Sequence, residues 1–182
     1  VTRGNGKEAI TTLAGDRWLV RAQDAVYGYD VHYALVDEGW NVKPDTVSEG
    51  LEPAALERPS PQLVLTSTAH RRATSLMRVE IASAQAGEDP RVLLILWAAR
   101  KGSDPGDPRV WKAASPHWSE ARHKLIEGKY LKALNGEGDP EFDDPDPMRG
   151  FEAQYLNVWH LHERKTVGTP IVTDEDWAEL VT

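Results

Sequence analysis

The sequence predicts a mixed α/β fold, in which parallel strands with crossover helices precede a smaller, mainly helical part. Apolar segments at residues 31–36, 63–65 and 91–98 have the composition of strands buried on both faces of a parallel sheet. Amphipathic segments at residues 45–57 and 71–85 lie between them, as crossover helices do. Beyond residue 99, turn-forming Gly, Pro and Asp lead into three short helical segments, at residues 107–114, 119–134 and 147–158.

Composition narrows the classes of function. The 182 residues contain no cysteine, so the fold uses no disulfide and any metal site needs His or carboxylate ligands. No apolar run approaches the roughly 20 residues that span a bilayer, so we expect no membrane association. A net charge of −8 argues against binding nucleic acid through the overall field of the chain, because duplex affinity comes mostly from Lys and Arg.

Two carboxylates follow directly after the apolar segment 31–36. Asp37 and Glu38 therefore stand at the C-terminal end of a buried strand, where α/β sheets place their ligands. In an ATPase the first carboxylate holds Mg²⁺ through water, and the metal bridges the β- and γ-phosphates. The second carboxylate positions and polarises the attacking water. An apolar run that ends in Asp-Glu is common, so this pattern alone is a weak signal.

Three hydroxyl residues end the next strand. Thr66, Ser67 and Thr68 follow the apolar segment 63–65, and in motor ATPases such hydroxyls lie beside the Asp-Glu strand and sense the γ-phosphate. A Ser/Thr turn that caps the following helix explains the same residues equally well. The sequence leaves both readings open.

The order of these motifs resembles the bacteriophage terminase large subunit, the ATPase of the DNA-packaging motor. The resemblance extends over nearly the whole chain. It rests on five segments: G-Y-D-V-H-Y-A-L-V-D-E-G-W at 28–40, P-S-P-Q-L-V-L-T-S-T at 59–68, D-P-G-D-P-R-V-W-K-A-A-S-P at 104–116, F-E-A-Q-Y-L-N-V-W at 151–159, and 170–180.

This resemblance implies a partial P-loop NTPase-like parallel sheet with flanking helices, followed by a mainly helical lid. It implies that residues 1–99 form the rear part of the ATPase core, residues 100–165 the lid, and residues 166–182 a linker toward a missing nuclease domain. In the complete motor, Glu38 would activate water, and Asp37 would hold Mg²⁺ beside ATP. The implied partners are double-stranded DNA, the portal and the small terminase subunit, in the cytoplasm of a bacterial host that carries a phage or prophage.

The sequence departs from the family in two places. The phosphate-gripping loop G-x-x-x-x-G-K-[ST] is absent, and the Gly-Asn-Gly-Lys at 4–7 has the wrong spacing. Without the backbone N–H groups and the Lys of that loop, we expect the chain to be inactive alone and to need an N-terminal phosphate-loop segment or a split partner chain. Tyr27 replaces an Arg that many terminases use on a neighbour's ATP. Other arginines are candidate phosphate or partner contacts: Arg21, Arg71 and Arg72.

Two alternatives remain open at this stage. A non-catalytic assembly module would bind the portal, the small terminase subunit or a split partner chain. An unrelated α/β enzyme would carry the Asp-Glu pair by coincidence. The first alternative depends on whether residues 1–13 cover the sheet edge that a phosphate-loop strand would otherwise pair with.

Overall fold

The computed structural model describes residues 1 and 4, residues 8–139 and residues 144–159. The predicted linker at 166–182 and the end of the predicted lid lie outside these residues. Within the described part, the chain is a mixed α/β protein with two small sheets and five α-helices. None of the helices in this part is long and apolar enough to cross a membrane.

A short antiparallel hairpin begins the described structure. Strands β1 (Ala9–Thr11) and β2 (Arg17–Leu19) pair with Ile10 opposite Trp18. The turn between them is closed by Asp16, whose carboxylate accepts a hydrogen bond of 3.0 Å from the Thr12 hydroxyl. Both strands pair with each other, and neither joins the second sheet.

The second sheet is a parallel pair. Strand β3 (Tyr33–Val36) pairs with β4 (Gln62–Leu65) in a register that sets Val36 opposite Leu65. The crossover between them contains a π-helical turn at Thr46–Leu51, followed by α1 (Glu52–Ala55). The sequence predicts a helix over 45–57 with Pro53 as a local irregularity. The observed segment changes from a π-helical turn to α1 after Leu51, and Pro53 lies in the first turn of α1, where its missing N–H costs no helical hydrogen bond.

Helix α2 (Ser75–Ala86) follows β4 and ends at Gly87, whose φ of +68° stops the helix in a left-handed conformation. The predicted strand at 91–98 is wrong: residues 92–97 pair with no described strand. A strand requires a hydrogen-bonded neighbour, and composition alone does not supply one. The large side chains here are unusually exposed, with Leu93 at 81% and Ile95 at 60%.

Three helices form the second half of the described structure: α3 (Pro108–Ala113), α4 (Glu120–Leu134) and α5 (Pro147–Leu156). Each begins at a residue whose side chain accepts a hydrogen bond from the first turn, namely Asp107, Ser119 and Asp146. These caps explain why the predicted and observed helix starts agree within one residue.

Two separate hydrophobic clusters stabilise the two halves. Under the parallel pair, the buried members are Val42, Val47 and Leu76. Among the helices the cluster is larger, and its buried members are Trp111, Ala114, Ile126, Ala133, Phe151 and Leu156. The parallel pair is thus held by a small core, and the helical half carries most of the buried apolar side chains.

Candidate functional site

The parallel register brings the predicted site residues together. Because Val36 and Leu65 are opposite each other, Asp37 and Thr66 leave the sheet side by side. The Thr66 hydroxyl donates a hydrogen bond of 2.7 Å to Oδ1 of Asp37, and the backbone N–H of Glu38 donates to the same oxygen at 2.9 Å. Neither bond involves Oδ2 of Asp37.

These two bonds change the acidity of Asp37. The hydrogen bond from Thr66 is the larger cause, and the Glu38 N–H the second; together they hold the pKa of Asp37 below its ordinary value. Both donors stabilise the ionised carboxylate. Asp37 is exposed, so it presents a negative charge to solvent at the carboxyl end of β3.

Glu38 has an unusual backbone conformation for a non-glycine residue. Its φ of 52° and ψ of 45° lie in the left-handed region. Its carboxylate accepts a hydrogen bond from the indole Nε1–H of Trp40. Glu38 is therefore held by a side chain two residues further on, and strained backbone of this kind is often found at functional sites.

The hydroxyls that follow β4 have different surroundings. Ser67 Oγ accepts a hydrogen bond of 3.0 Å from the backbone N–H of Trp40, and it donates one of 3.0 Å to the carbonyl of Thr68. Thr68 is exposed. Of the three predicted residues, Thr66 contacts Asp37, Ser67 fixes the backbone beside Glu38, and Thr68 lies at the surface.

Gly39 connects the end of β3 to the end of β4 through a backbone hydrogen bond. Its N–H donates a hydrogen bond of 2.9 Å to the carbonyl of Thr66, and the residue is buried. A Cβ at this position would lie 2.7 Å from Sδ of Met77 and 3.4 Å from the Thr66 carbonyl oxygen. The close approach of the Met77 side chain to the end of β3 therefore favours glycine, since any larger residue would force that side chain to shift.

The predicted arginines lie in two places. The guanidinium of Arg21 lies over the ring of Tyr29, 5.3 Å from its centroid, and its Nε donates a 2.8 Å hydrogen bond to the Tyr29 hydroxyl. Arg71 and Arg72 are exposed in the loop after β4. Their proposed contact with phosphate or a partner stays a prediction.

Sequence reasoning did not single out three residues that contact this region, Trp40, His70 and Asn157. The His70 ring stacks on Trp40 with centroids 3.7 Å apart and planes 17° apart. Asn157, at the end of α5, accepts a hydrogen bond of 2.8 Å from the N–H of Ala69. No local pattern identifies these residues, because their partners are 30 and 88 positions away.

Asp37 is chemically suited to be one ligand of a magnesium ion, since it is an exposed, ionised carboxylate with an oxygen outside the two bonds described above. Over the part of the chain that the structure describes, no group of three or more His, Cys, Asp or Glu side chains is arranged to hold a metal. A magnesium ion at Asp37 would therefore need phosphate oxygens and water as its other ligands.

The parallel pair, its crossover and the helices that follow define a mixed α/β protein with a terminase-like fold. Among solved structures, the chain is similar to the large terminase of bacteriophage HK97, with a TM-score of 0.54 and 22% sequence identity. The match covers 73% of this chain but only 27% of the HK97 chain. No protein-family model matches the sequence, and neither does any curated protein.

Proposed function

We propose that this chain is the part of a phage terminase large subunit in which Asp37 holds Mg²⁺ and Glu38 activates water for ATP hydrolysis. The observation that carries the proposal is the 2.7 Å hydrogen bond between Thr66 and Asp37, which joins the ends of neighbouring parallel strands. The resemblance to motor ATPases implies that a hydroxyl that senses the γ-phosphate lies beside the metal-binding carboxylate, at the same sheet edge.

In this proposal each residue has a separate task. Mg²⁺ bound with ATP supplies electrostatic stabilisation of the charge on the phosphates. The hydrogen bonds from Thr66 and the Glu38 N–H lower the pKa of Asp37 and so stabilise its charged form. Glu38 orients water, and Ser67 holds the backbone of Trp40, which in turn holds Glu38. Thr66 and Ser67 thereby connect the strand that senses phosphate with both carboxylates.

A phosphate-loop segment, or a split partner chain that carries one, would complete the site. Two observations support this part of the proposal. The described part of the N-terminal segment pairs within its own hairpin and adds no strand to the β3–β4 pair, although Trp18 contacts the ring of Tyr33. Residues 92–97 are apolar at every position and pair with no described strand, and most of their side chains are exposed, as expected of a segment that a neighbouring strand would bury. An added strand would bury these side chains and bring phosphate-binding N–H groups to Asp37.

The test is magnesium-dependent ATP binding and hydrolysis by the purified chain, with Glu38→Ala as the control. We expect neither binding nor turnover by the chain alone. If the chain alone hydrolyses ATP and Glu38→Ala abolishes this activity, the proposed inactivity is contradicted, whereas the proposed role of Glu38 is supported. Turnover that Glu38→Ala and Asp37→Asn leave unchanged would contradict the proposed site altogether.

A non-catalytic assembly module is the second candidate function. The exposure of Leu93 and Ile95 favours it, because contiguous apolar side chains at the surface mark protein interaction sites. On this reading the chain binds the portal, the small terminase subunit or a split partner through residues 92–97. One experiment separates the two candidate functions. In the complex with a partner, Asp37→Asn should abolish ATP hydrolysis if the site is catalytic, and should leave partner binding unchanged if the chain is an assembly module.

A further inference from the structure

The loop after β4 contacts both the carboxylate site and the end of the helical half. This loop, residues 67–70, begins directly after Thr66 and ends at the His70 ring. Ala69 in its middle is 1% exposed, which is low for a connecting segment. Its burial reflects contacts in two directions, toward the carboxylates and toward the helices.

Toward the site, the 67–70 loop holds Trp40 at two points. Ser67 Oγ accepts the Trp40 backbone N–H at 3.0 Å, and the His70 ring stacks on the indole at 3.7 Å between centroids. The same indole donates its Nε1–H to the Glu38 carboxylate. The position of the loop thus fixes the plane of the indole and, through it, the position of the Glu38 carboxylate.

Toward the helices, the 67–70 loop is held by Asn157. Its Oδ1 accepts the N–H of Ala69 at 2.8 Å, while its Nδ2 donates to the carbonyl of Trp97 at 3.1 Å. The carbonyl of Leu156 accepts the N–H of Ala99 at 2.8 Å. The end of α5 is therefore bonded both to the loop after β4 and to the segment that leads into the helical half.

A helix stop alone does not explain these contacts. Asn157 has φ of 50° and ψ of 38°, a conformation that glycine adopts more easily than any other residue. Glycine would end α5 equally well but would leave the N–H of the buried Ala69 without this acceptor. The asparagine side chain thus adds a connection between two parts of the molecule that a helix terminus does not need.

We propose that Asn157 is a positioning residue for Glu38, acting through the 67–70 loop and Trp40. The inference rests on the proposed function of Glu38, whereas the physical connection can be tested without it. When the helical half shifts relative to the sheet, Asn157 moves the backbone at Ala69, His70 follows, and the indole of Trp40 changes its hold on Glu38.

The test is the rate of solvent exchange of the Trp40 indole Nε1–H, measured by NMR on the whole chain. Asn157→Gly keeps the left-handed backbone and removes both side-chain bonds. We expect about fivefold faster indole exchange, the change that corresponds to one lost hydrogen bond of about 1 kcal/mol. Asn157→Asp keeps the acceptor for Ala69 and should stay close to the parent rate, so it serves as the rescue.

Faster exchange at Ala69 with an unchanged indole rate in Asn157→Gly would overturn the inference, because a purely structural role ends at Ala69. Should that variant not fold, His70→Ala tests the middle of the connection, and an unchanged indole rate there would overturn it equally. Asn135→Gly, the same substitution at the end of α4 but at a residue without left-handed backbone, is a control that should leave the Trp40 signal in place.

The outcomes separate this inference from the proposed function. Suppose that Asn157→Gly speeds exchange of the Trp40 indole, but that Glu38→Ala keeps full ATPase activity with the partner bound. That result would contradict only the proposed role of Glu38 in ATP hydrolysis. If instead Glu38→Ala abolishes ATPase activity while Asn157→Gly leaves the indole exchange rate unchanged, only the positioning role of Asn157 is contradicted.

Discussion

The Thr66 hydroxyl donates a 2.7 Å hydrogen bond to Oδ1 of Asp37, although the two residues are 29 positions apart in the chain. The parallel register of β3 and β4 makes this bond possible, because each residue directly follows a strand of the pair. The bond also stabilises the ionised carboxylate, since it is the largest cause that lowers the pKa of Asp37.

Replacing Thr66 by Val should raise the pKa of Asp37 toward its ordinary value, because the hydrogen bond that stabilises the carboxylate is removed. In the parent, the stabilisation from this bond is fully present above the pKa of the unfolded chain and is lost as the pH falls through the lower folded pKa. Titration of the Asp37 side-chain carbon by ¹³C NMR measures the change. Thr68→Val is the control and should leave the titration unaltered.

Asp37→Asn should remove the magnesium response of the site. The amide carries no charge, and Mg²⁺ prefers anionic oxygen ligands. Without phosphate oxygens a single carboxylate binds Mg²⁺ weakly, so a titration to high MgCl₂ concentration, followed by the backbone amide signals of Glu38 and Gly39, should give small shifts in the parent that are absent in the variant. Asp104→Asn, in the exposed loop before α3, provides a carboxylate control. Equal shifts in parent and Asp37→Asn would contradict a metal-binding role.

Gly39→Ala should destabilise the chain by about 1–3 kcal/mol, the usual cost of overpacking a close contact. The added methyl would meet Sδ of Met77 at 2.7 Å. Urea unfolding measures the loss, and Met77→Ala in the same chain should recover part of it, because the two positions are in contact.

The matched control is Gly128→Ala in α4, where no atom lies within 4 Å of the added carbon. This substitution should stabilise the protein by up to about 1 kcal/mol, since alanine is the better helix former. A destabilising Gly128→Ala would show that the loss at Gly39 is not specific to its contact with Met77.

Phe151→Ala should cost about 3–5 kcal/mol, as for other fully buried aromatic side chains. Phe151 is 0% exposed and packs among the helices with Tyr130 and Tyr155, at ring distances of 5.5 and 5.6 Å. Thermal unfolding followed by circular dichroism measures the change. Leu134→Ala, on a residue that is 59% exposed, should have little effect.

The sequence predicted those elements whose signals are local. The apolar segments that became β3 and β4 were found because a parallel strand is apolar throughout, and the helices after residue 99 because their caps are Asp and Ser. The expected burial of the two strands on both faces is wrong, since Leu35 is 54% exposed and Leu63 39%. The segment 91–98 failed for the opposite reason, since its composition is that of a strand but a described partner strand is absent.

The carboxylates and hydroxyls of the site were also predictable, since they stand directly after the two strands. Their relationships were not. The hold of Trp40 on Glu38, its stack with His70 and the bond from Ala69 to Asn157 all depend on packing between distant segments. The left-handed backbone of Glu38 was likewise invisible, because carboxylate residues adopt this conformation only where the surroundings enforce it.

The exposed residues 92–97 have a consequence for the behaviour of the chain in solution. The run V-L-L-I-L-W combines high β-propensity with no charge and no proline, the features of segments that start aggregation. The cations on either side, Arg91 and Arg100, and the net charge of −8 oppose edge-to-edge stacking of such runs from two molecules, although Arg91 is also paired with Asp89. Colloidal stability of the isolated chain should therefore fall as ionic strength rises and screens these charges, and improve when Ile95 is replaced by lysine.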